Sequence, residues 1–137
     1  MDMKHSVFII LLTILLTSTI CYAKHLHPEK EYQKYWCSNH NGKTEVVLND
    51  RTRVDCLTDD YAVEVDFAPK WHECIGQAIH YGQQTRKTPA CLLIMENGED
   101  DLRFLYRLRY TIYDKKQIRR FKIFTITPEI LEENLSN

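Results

Sequence analysis

Apolar and polar positions change period along this chain, and the changes mark its elements. His27-Pro28-Glu29 opens a first helix that runs to about Ser38, because proline suits a first turn and carboxylates favour a helix start. Asn39-His40-Asn41-Gly42 ends it. TEVVL (44–48), RTRVDCLT (51–58) and YAVEVDF (61–67) are short β-rich runs separated by Asn-Asp and Asp-Asp turns, which predicts an antiparallel meander. From Lys70 to about Gln84, residues Trp71, Cys74, Ile75, Ala78 and Ile79 recur at helical spacing and define a second helix with one apolar stripe.

Thr88-Pro89 breaks that pattern. ACLLIME (90–96) is almost wholly apolar, as expected of a central strand covered on both faces. Asp100 to about Gln117 places Leu102, Leu105, Tyr106, Arg109 and Tyr113 among many charges, a third helix, and FKIFTIT (121–127) reads as the last strand. The tail PEILEENLSN offers little to pack and is expected to fray. The order αβββαβαβ predicts an α/β (α+β) fold: a mixed sheet with helices on both faces, since a crossover to a parallel neighbour needs an intervening helix.

Composition changes this picture mainly at the ends. Ahead of the first helix lies a start carrying Lys4 and His5, an apolar run from Val7 to Ile20, and small residues ending at Ala23. About 14 apolar residues fall short of a membrane span, so residues 1–23 read as a secretory signal peptide and the product as exported, periplasmic or secreted. Residues 24–137 then suit one modest domain with a single core. Cleavage removes one cation, Lys4, and one anion, Asp2, so the net charge stays at -1 and any nucleic-acid contact must rest on a local patch.

Cys37, Cys56, Cys74 and Cys91 follow the leader. In an oxidising compartment they suit one or two disulfides, although spacing alone does not choose among the three complete pairings and buried free thiols fit as well. No CxxC spacing suggests structural zinc.

Chemistry concentrates in YAVEVDF. Alternation puts Glu64 and Asp66 on one face, where two carboxylates repel and lose hydration unless a cation or proton bridges them. If the preceding strand pairs across Asp59-Asp60, Asp55 joins that face. Lys70, Glu73, Gln77, Tyr81 and Gln84 then form one polar edge of the second helix, starting where the acidic strand ends. His25 and His27 read as solvated, His72 and His80 as surface histidines, and Cys74 as core. Arg103, Arg107, Arg109, Lys115, Lys116, Arg119, Arg120 and Lys122, with Phe104, Tyr106, Tyr110 and Tyr113 among them, suit either a nucleic-acid groove or an amphipathic helix.

These residues carry a resemblance. An acid in the first helix (Glu31 in EKEYQKYW), Asp55 in the second strand, Glu64 in the third and a Gln-x-x-x-Tyr on the next helix (Gln77, Tyr81) resemble the PD-(D/E)XK nuclease superfamily, the last element its RecB-like branch. The resemblance implies a restriction-endonuclease-like αβββαβ core in which Asp55, Glu64 and the carbonyl after it bind Mg2+ or Mn2+, ions that choose oxygen ligands. It implies that Glu31 holds a metal-bound water or second ion, and that Gln77 and Tyr81 position the nucleic-acid backbone or the acidic ligands. Position 66, where the family carries lysine, is Asp66, a possible further ligand. Lys70 could reach back from the helix start, as such relocated lysines do in relatives. Two functions follow: a metal-dependent nuclease acting on DNA more readily than RNA, or a binding module on the same fold with catalysis lost.

Overall fold

The computed structural model describes residues 25–114, 118 and 120–135; the leader at 1–23 lies outside them, as do Lys115, Lys116 and Arg119. The chain runs α1 (Glu29–Asn39), β1 (Lys43–Val47), β2 (Arg53–Leu57), β3 (Tyr61–Phe67), a 3-10 turn (Ala68–Lys70), α2 (Trp71–Thr85), β4 (Thr88–Ile94), α3 (Glu99–Arg109) with a π-helical turn (Tyr110–Asp114), β5 (Lys122–Ile126) and α4 (Pro128–Leu135).

Five strands form one sheet in the order β1-β2-β3-β4-β5. The first three are antiparallel, while β3, β4 and β5 run parallel. Short turns join the antiparallel strands, whereas α2 and α3 supply the crossovers that parallel neighbours require. The result is the mixed α+β sheet expected from the element order.

Each face has its own core. On one, Tyr32, Trp36 and Cys37 of α1 and Leu131 of α4 pack on Val63, Val65, Leu92 and Ile94. On the other, Cys74 and Ala78 of α2 and Leu108 of α3 pack with Ile112 on Cys91 and Leu93. Covered twice, β3 is buried from Ala62 through Phe67, carboxylates included.

Three expectations need correction. The tail is helical through Leu135: Pro128 starts α4, and Leu131 is 5% exposed in the core beneath α1, a partner that no local pattern reveals. Pro89 does not precede the strand but lies within it, in register with Ala62, near the beginning, where a missing N–H is best tolerated. His25 and His27 are docked rather than solvated. His25 stacks on Phe67 with centroids 3.4 Å apart and lies 2.8 Å from Glu96 Oε2, while the amides of Leu26 and His27 donate to Glu96 Oε1.

The cysteines pair. Cys37–Cys56 ties α1 to β2 and Cys74–Cys91 ties α2 to β4, with Cα separations of 5.7 and 5.9 Å. Gly42 crosses the first bridge so closely that a Cβ there would stand 2.5 Å from one sulfur and 2.6 Å from the other. Only glycine fits that crossing without displacement.

Candidate functional site

The site forms where the sheet ladder breaks. β1 and β2 are bridged at Thr44↔Cys56 and again at Val46↔Val54, but the intervening residues, Glu45 and Asp55, are not. β2 and β3 are bridged at Cys56↔Val63 and Leu57↔Ala62 and part beyond them. Glu45 takes a left-handed backbone, φ +58°, a conformation that costs free energy for a residue with a Cβ. The break also changes which way β2 faces. Val54 packs with Ala62 and Tyr81, while Cys56, two residues on, packs in the opposite core. In a regular strand those two side chains would share a face.

Side chains replace the missing ladder bonds. Val65 N–H donates to Asp55 Oδ2 at 2.8 Å, so the aspartate carboxylate stands in for a strand carbonyl. Gln33, buried on α1, donates through Nε2 both to the Asp55 carbonyl at 2.7 Å and to Glu45 Oε1 at 2.9 Å. Arg53 Nη1 holds the other Glu45 oxygen at 2.9 Å. Breaks of this kind re-aim a side chain, and here the re-aimed group is Asp55.

Asp55 meets Glu64. Their carboxyls stand close enough that a shared proton would link them. Glu64 is held far above the usual carboxylate range, first by burial and then by the charges of Asp55 and Asp66. Burial also raises Asp55, with the Val65 N–H opposing the shift. Asp66 is pushed up to about 7 by burial and by Glu29, against the pull of Lys70. Among the described residues, Glu64 Oε2 and Asp66 Oδ2 are buried without a hydrogen-bond partner. Unpartnered buried carboxylate oxygens are costly, so this strand stores repulsion that a cation or proton would relieve.

The helix edge contributes unevenly. Tyr81 is buried beside Glu64; its hydroxyl donates to Gln77 Oε1 at 3.3 Å, and burial followed by the charges of Glu64 and Asp55 raises its pKa. Lys70 Nζ lies 3.7 Å from Asp66 Oδ1 with its side chain half exposed. Its charge acts on Asp66 and Glu29. Among the described residues, Lys70 is thus turned to the rim of the acidic group.

Asp55, Glu64 and Tyr81 are therefore brought together, with Gln77 joined through the Tyr81 hydroxyl and Asp66 and Lys70 adjoining. Glu31 is not. It lies half exposed on the far side of α1, 3.3 Å from His27 Nδ1. The helix-1 acid that reaches the cluster is Glu29, whose charge raises Asp55, Glu64 and Asp66. Two positions along an α-helix turn a side chain by about 200°, so Glu29 and Glu31 cannot serve one face. Glu29 shares its face with Gln33 at i+4, and the inward-facing Tyr32, Gln33 and Trp36 are the signal that could have chosen it. Gln33 and Glu45 were not anticipated, and nothing local marks Glu45 as left-handed.

A hard divalent cation fits the donor chemistry of Asp55 and Glu64, two acidic oxygen donors in contact with one oxygen left unpartnered. Among the described residues no three His, Cys, Asp or Glu side chains already stand together as a ligand set. The pair is the convergent part, and Asp66 faces Lys70 instead.

A protein of Acanthamoeba polyphaga mimivirus described as KilA-N domain-containing is 28% identical to this chain over 92 residues, which cover 63% of the chain and 37% of the viral protein. The chain thus spans little more than a third of that relative. No family model matches, and no solved structure does.

Proposed function

We propose that this chain is a nucleic-acid-binding protein whose Asp55–Glu64 centre hydrolyses phosphodiester bonds with a bound Mg2+ or Mn2+. The observation that carries this reading is the contacting Asp55–Glu64 pair with the unpartnered Glu64 oxygen, built by a strained break in the sheet. Nucleic acid as partner is supported by the likeness to a KilA-N domain-containing protein, KilA-N being a DNA-binding class, and DNA is therefore favoured over RNA. The resemblance to the PD-(D/E)XK nucleases, with Gln77 and Tyr81 beside the acids, supports the reaction class. Both disulfides support export to an oxidising compartment.

Asp55 and Glu64 would hold the ion, which when bound supplies an activated water and neutralises charge developing on phosphate. The chain's own residues prepare that centre. Val65 N–H and Gln33 fix Asp55 through its carboxylate and its carbonyl, Tyr81 stands against the Glu64 carboxyl with its hydroxyl held by Gln77, and Glu29 adds negative charge at the rim.

One observation favours a second reading, a binding module without catalysis. Asp66 stands where the nuclease pattern has lysine, and the Lys70 ammonium pairs with Asp66 at 3.7 Å. Incubating the purified protein with plasmid DNA, then RNA, in Mg2+, Mn2+ or EDTA separates the two. Metal-dependent nicking that disappears in Asp55→Asn is expected. Nicking that persists in that variant, or none in any metal, leaves the binding module. Within an active protein, Glu31→Ala should stay within about twofold of the parent, whereas Glu29→Ala should change cleavage by about tenfold or more, because only Glu29 adds its charge to the cluster. Equal effects of the two substitutions would refute this assignment of the helix-1 acid.

A further inference from the structure

One surface is left unexplained by the acidic centre. Along α3 and its π-helical turn, Tyr106, Tyr110 and Tyr113 are 65, 62 and 46% exposed, although Leu108 and Ile112 of the same run already fill the core. A spacing of four sets Tyr106 and Tyr110 on one side, while the Tyr113 hydroxyl donates to the Phe121 carbonyl at 3.2 Å. Cations alternate with them. The Arg103 and Arg107 guanidiniums lie 4.7 and 5.8 Å from the Phe104 ring, and Arg109 lies 6.0 Å from that of Tyr113. Among the described residues none of these arginines has a carboxylate partner.

Flat exposed rings interleaved with unpaired guanidiniums suit a polyanion that offers bare aromatic faces. We propose that the Tyr106–Tyr110 face of α3 is a stacking platform for single-stranded nucleic acid, its rings taking bases and Arg103, Arg107 and Arg109 taking phosphates. Single strands are the occupant because a duplex keeps its base faces inside its own stack, leaving the tyrosines nothing to cover. An acidic peptide would satisfy the arginines alone. Tyr106 and Tyr110 lie about 6 Å apart along the helix axis, enough to take two separate bases. After the turn in sequence, Arg120 lines with Arg86 and Lys87 a cavity of about 300 Å3 whose lining holds no acidic side chain. The proposal deepens the nucleic-acid reading, but binding at this face does not depend on cleavage.

Fluorescence anisotropy with a labelled oligothymidylate of about 20 nucleotides, in EDTA, tests it against the same length as duplex and against an acidic peptide. The single strand is expected to bind at least about tenfold more tightly than either competitor. Tyr106→Ala with Tyr110→Ala should weaken it by about 30-fold or more, since each of the two stacked bases contributes about 1–3 kcal/mol, or about fivefold at the least. Tyr106→Phe with Tyr110→Phe, which keeps the rings, should stay within about twofold. Arg107→Ala should lower the slope of affinity against salt. Unchanged binding in the alanine pair, equal loss in the phenylalanine pair, or equal affinity for duplex or peptide overturns the platform. Asp55→Asn keeps the two proposals separable. If cleavage fails while single strands still bind through the tyrosines, only the nuclease reading falls; the converse removes only the platform.

Discussion

Glu64→Gln is expected to raise the thermal midpoint of the protein in EDTA at pH 8 while lowering metal-dependent cleavage by roughly a thousandfold, the rate equivalent of about 4 kcal/mol of lost charge stabilisation. The two effects have one source. Glu64 is buried against Asp55 and Asp66, has an oxygen without a partner, and is held well above its ordinary pKa by burial and those two charges. Ionising it therefore destabilises the fold, and an amide of the same shape never ionises. A stabilising substitution that abolishes activity marks a group kept for chemistry rather than for packing.

The same reasoning fixes a pH dependence. A carboxyl whose folded pKa is raised binds its proton more tightly in the folded state, so its stabilising contribution is complete below the unfolded value of about 4 and is lost as pH rises through the folded value. Asp66, pushed up to about 7, and Glu64, held higher, place that loss between about pH 5 and pH 8 and beyond. In EDTA the parent should thus be more stable at pH 5 than at pH 8, by about 1–3 kcal/mol. Glu64→Gln should flatten much of this slope. Added Mn2+ should raise the midpoint of the parent at pH 8, where the acids are ready to ionise, and much less at pH 5, where protons already hold them. Scanning calorimetry at both pH values checks all three. A parent more stable at pH 8, or an equal gain from Mn2+ in Glu64→Gln, contradicts the reading of Glu64 as a strained ligand.

What the sequence discloses of this site is its local part. Tyr61–Phe67 is a strand residue for residue because its alternation is bounded by an Asp-Asp turn and by Pro69, and the same alternation puts Glu64 and Asp66 on one face. Gln77 and Tyr81 share an edge of α2 by spacing alone. The long-range part is silent. Whether Asp55 reaches Glu64 depends on a ladder break opposite Glu45, whose left-handed backbone no residue type announces. Spacing alone points to Glu31, whereas the α1 acid near the cluster is Glu29, a choice that follows only once the inward face of that helix is fixed by Tyr32 and Trp36. The segment after β5 reads as too polar to pack because the partner of its Leu131, α1, is about 100 positions away in the chain. Disulfide pairing likewise follows from topology, since each bridge joins a helix to the strand beneath it.

That placement gives the bridges a second consequence. Removing Cys37–Cys56 by Cys37→Ala with Cys56→Ala is expected to cost about 3 kcal/mol, the loop-closure entropy of a 19-residue separation, and to lower the thermal midpoint by about 10–20 °C. Both cysteines are fully buried, so the lost sulfurs also leave space in the core beside Gly42. Cys56 adjoins Asp55, and α1, the helix that this bridge anchors, carries the Gln33 that holds the Asp55 carbonyl. Cleavage at temperatures where the variant remains folded should therefore fall as well. By contrast, opening Cys74–Cys91 frees α2 from the strand that registers Cys91 with Glu64, and so loosens Tyr81 and Gln77 rather than Asp55. Mass measurement after alkylation under denaturing conditions supplies the chemical check: no label on these four cysteines before reduction and label on all four after it. Alkylation without reduction, or a midpoint indifferent to reductant, would remove the bridges from the account and with them the support they lend to export.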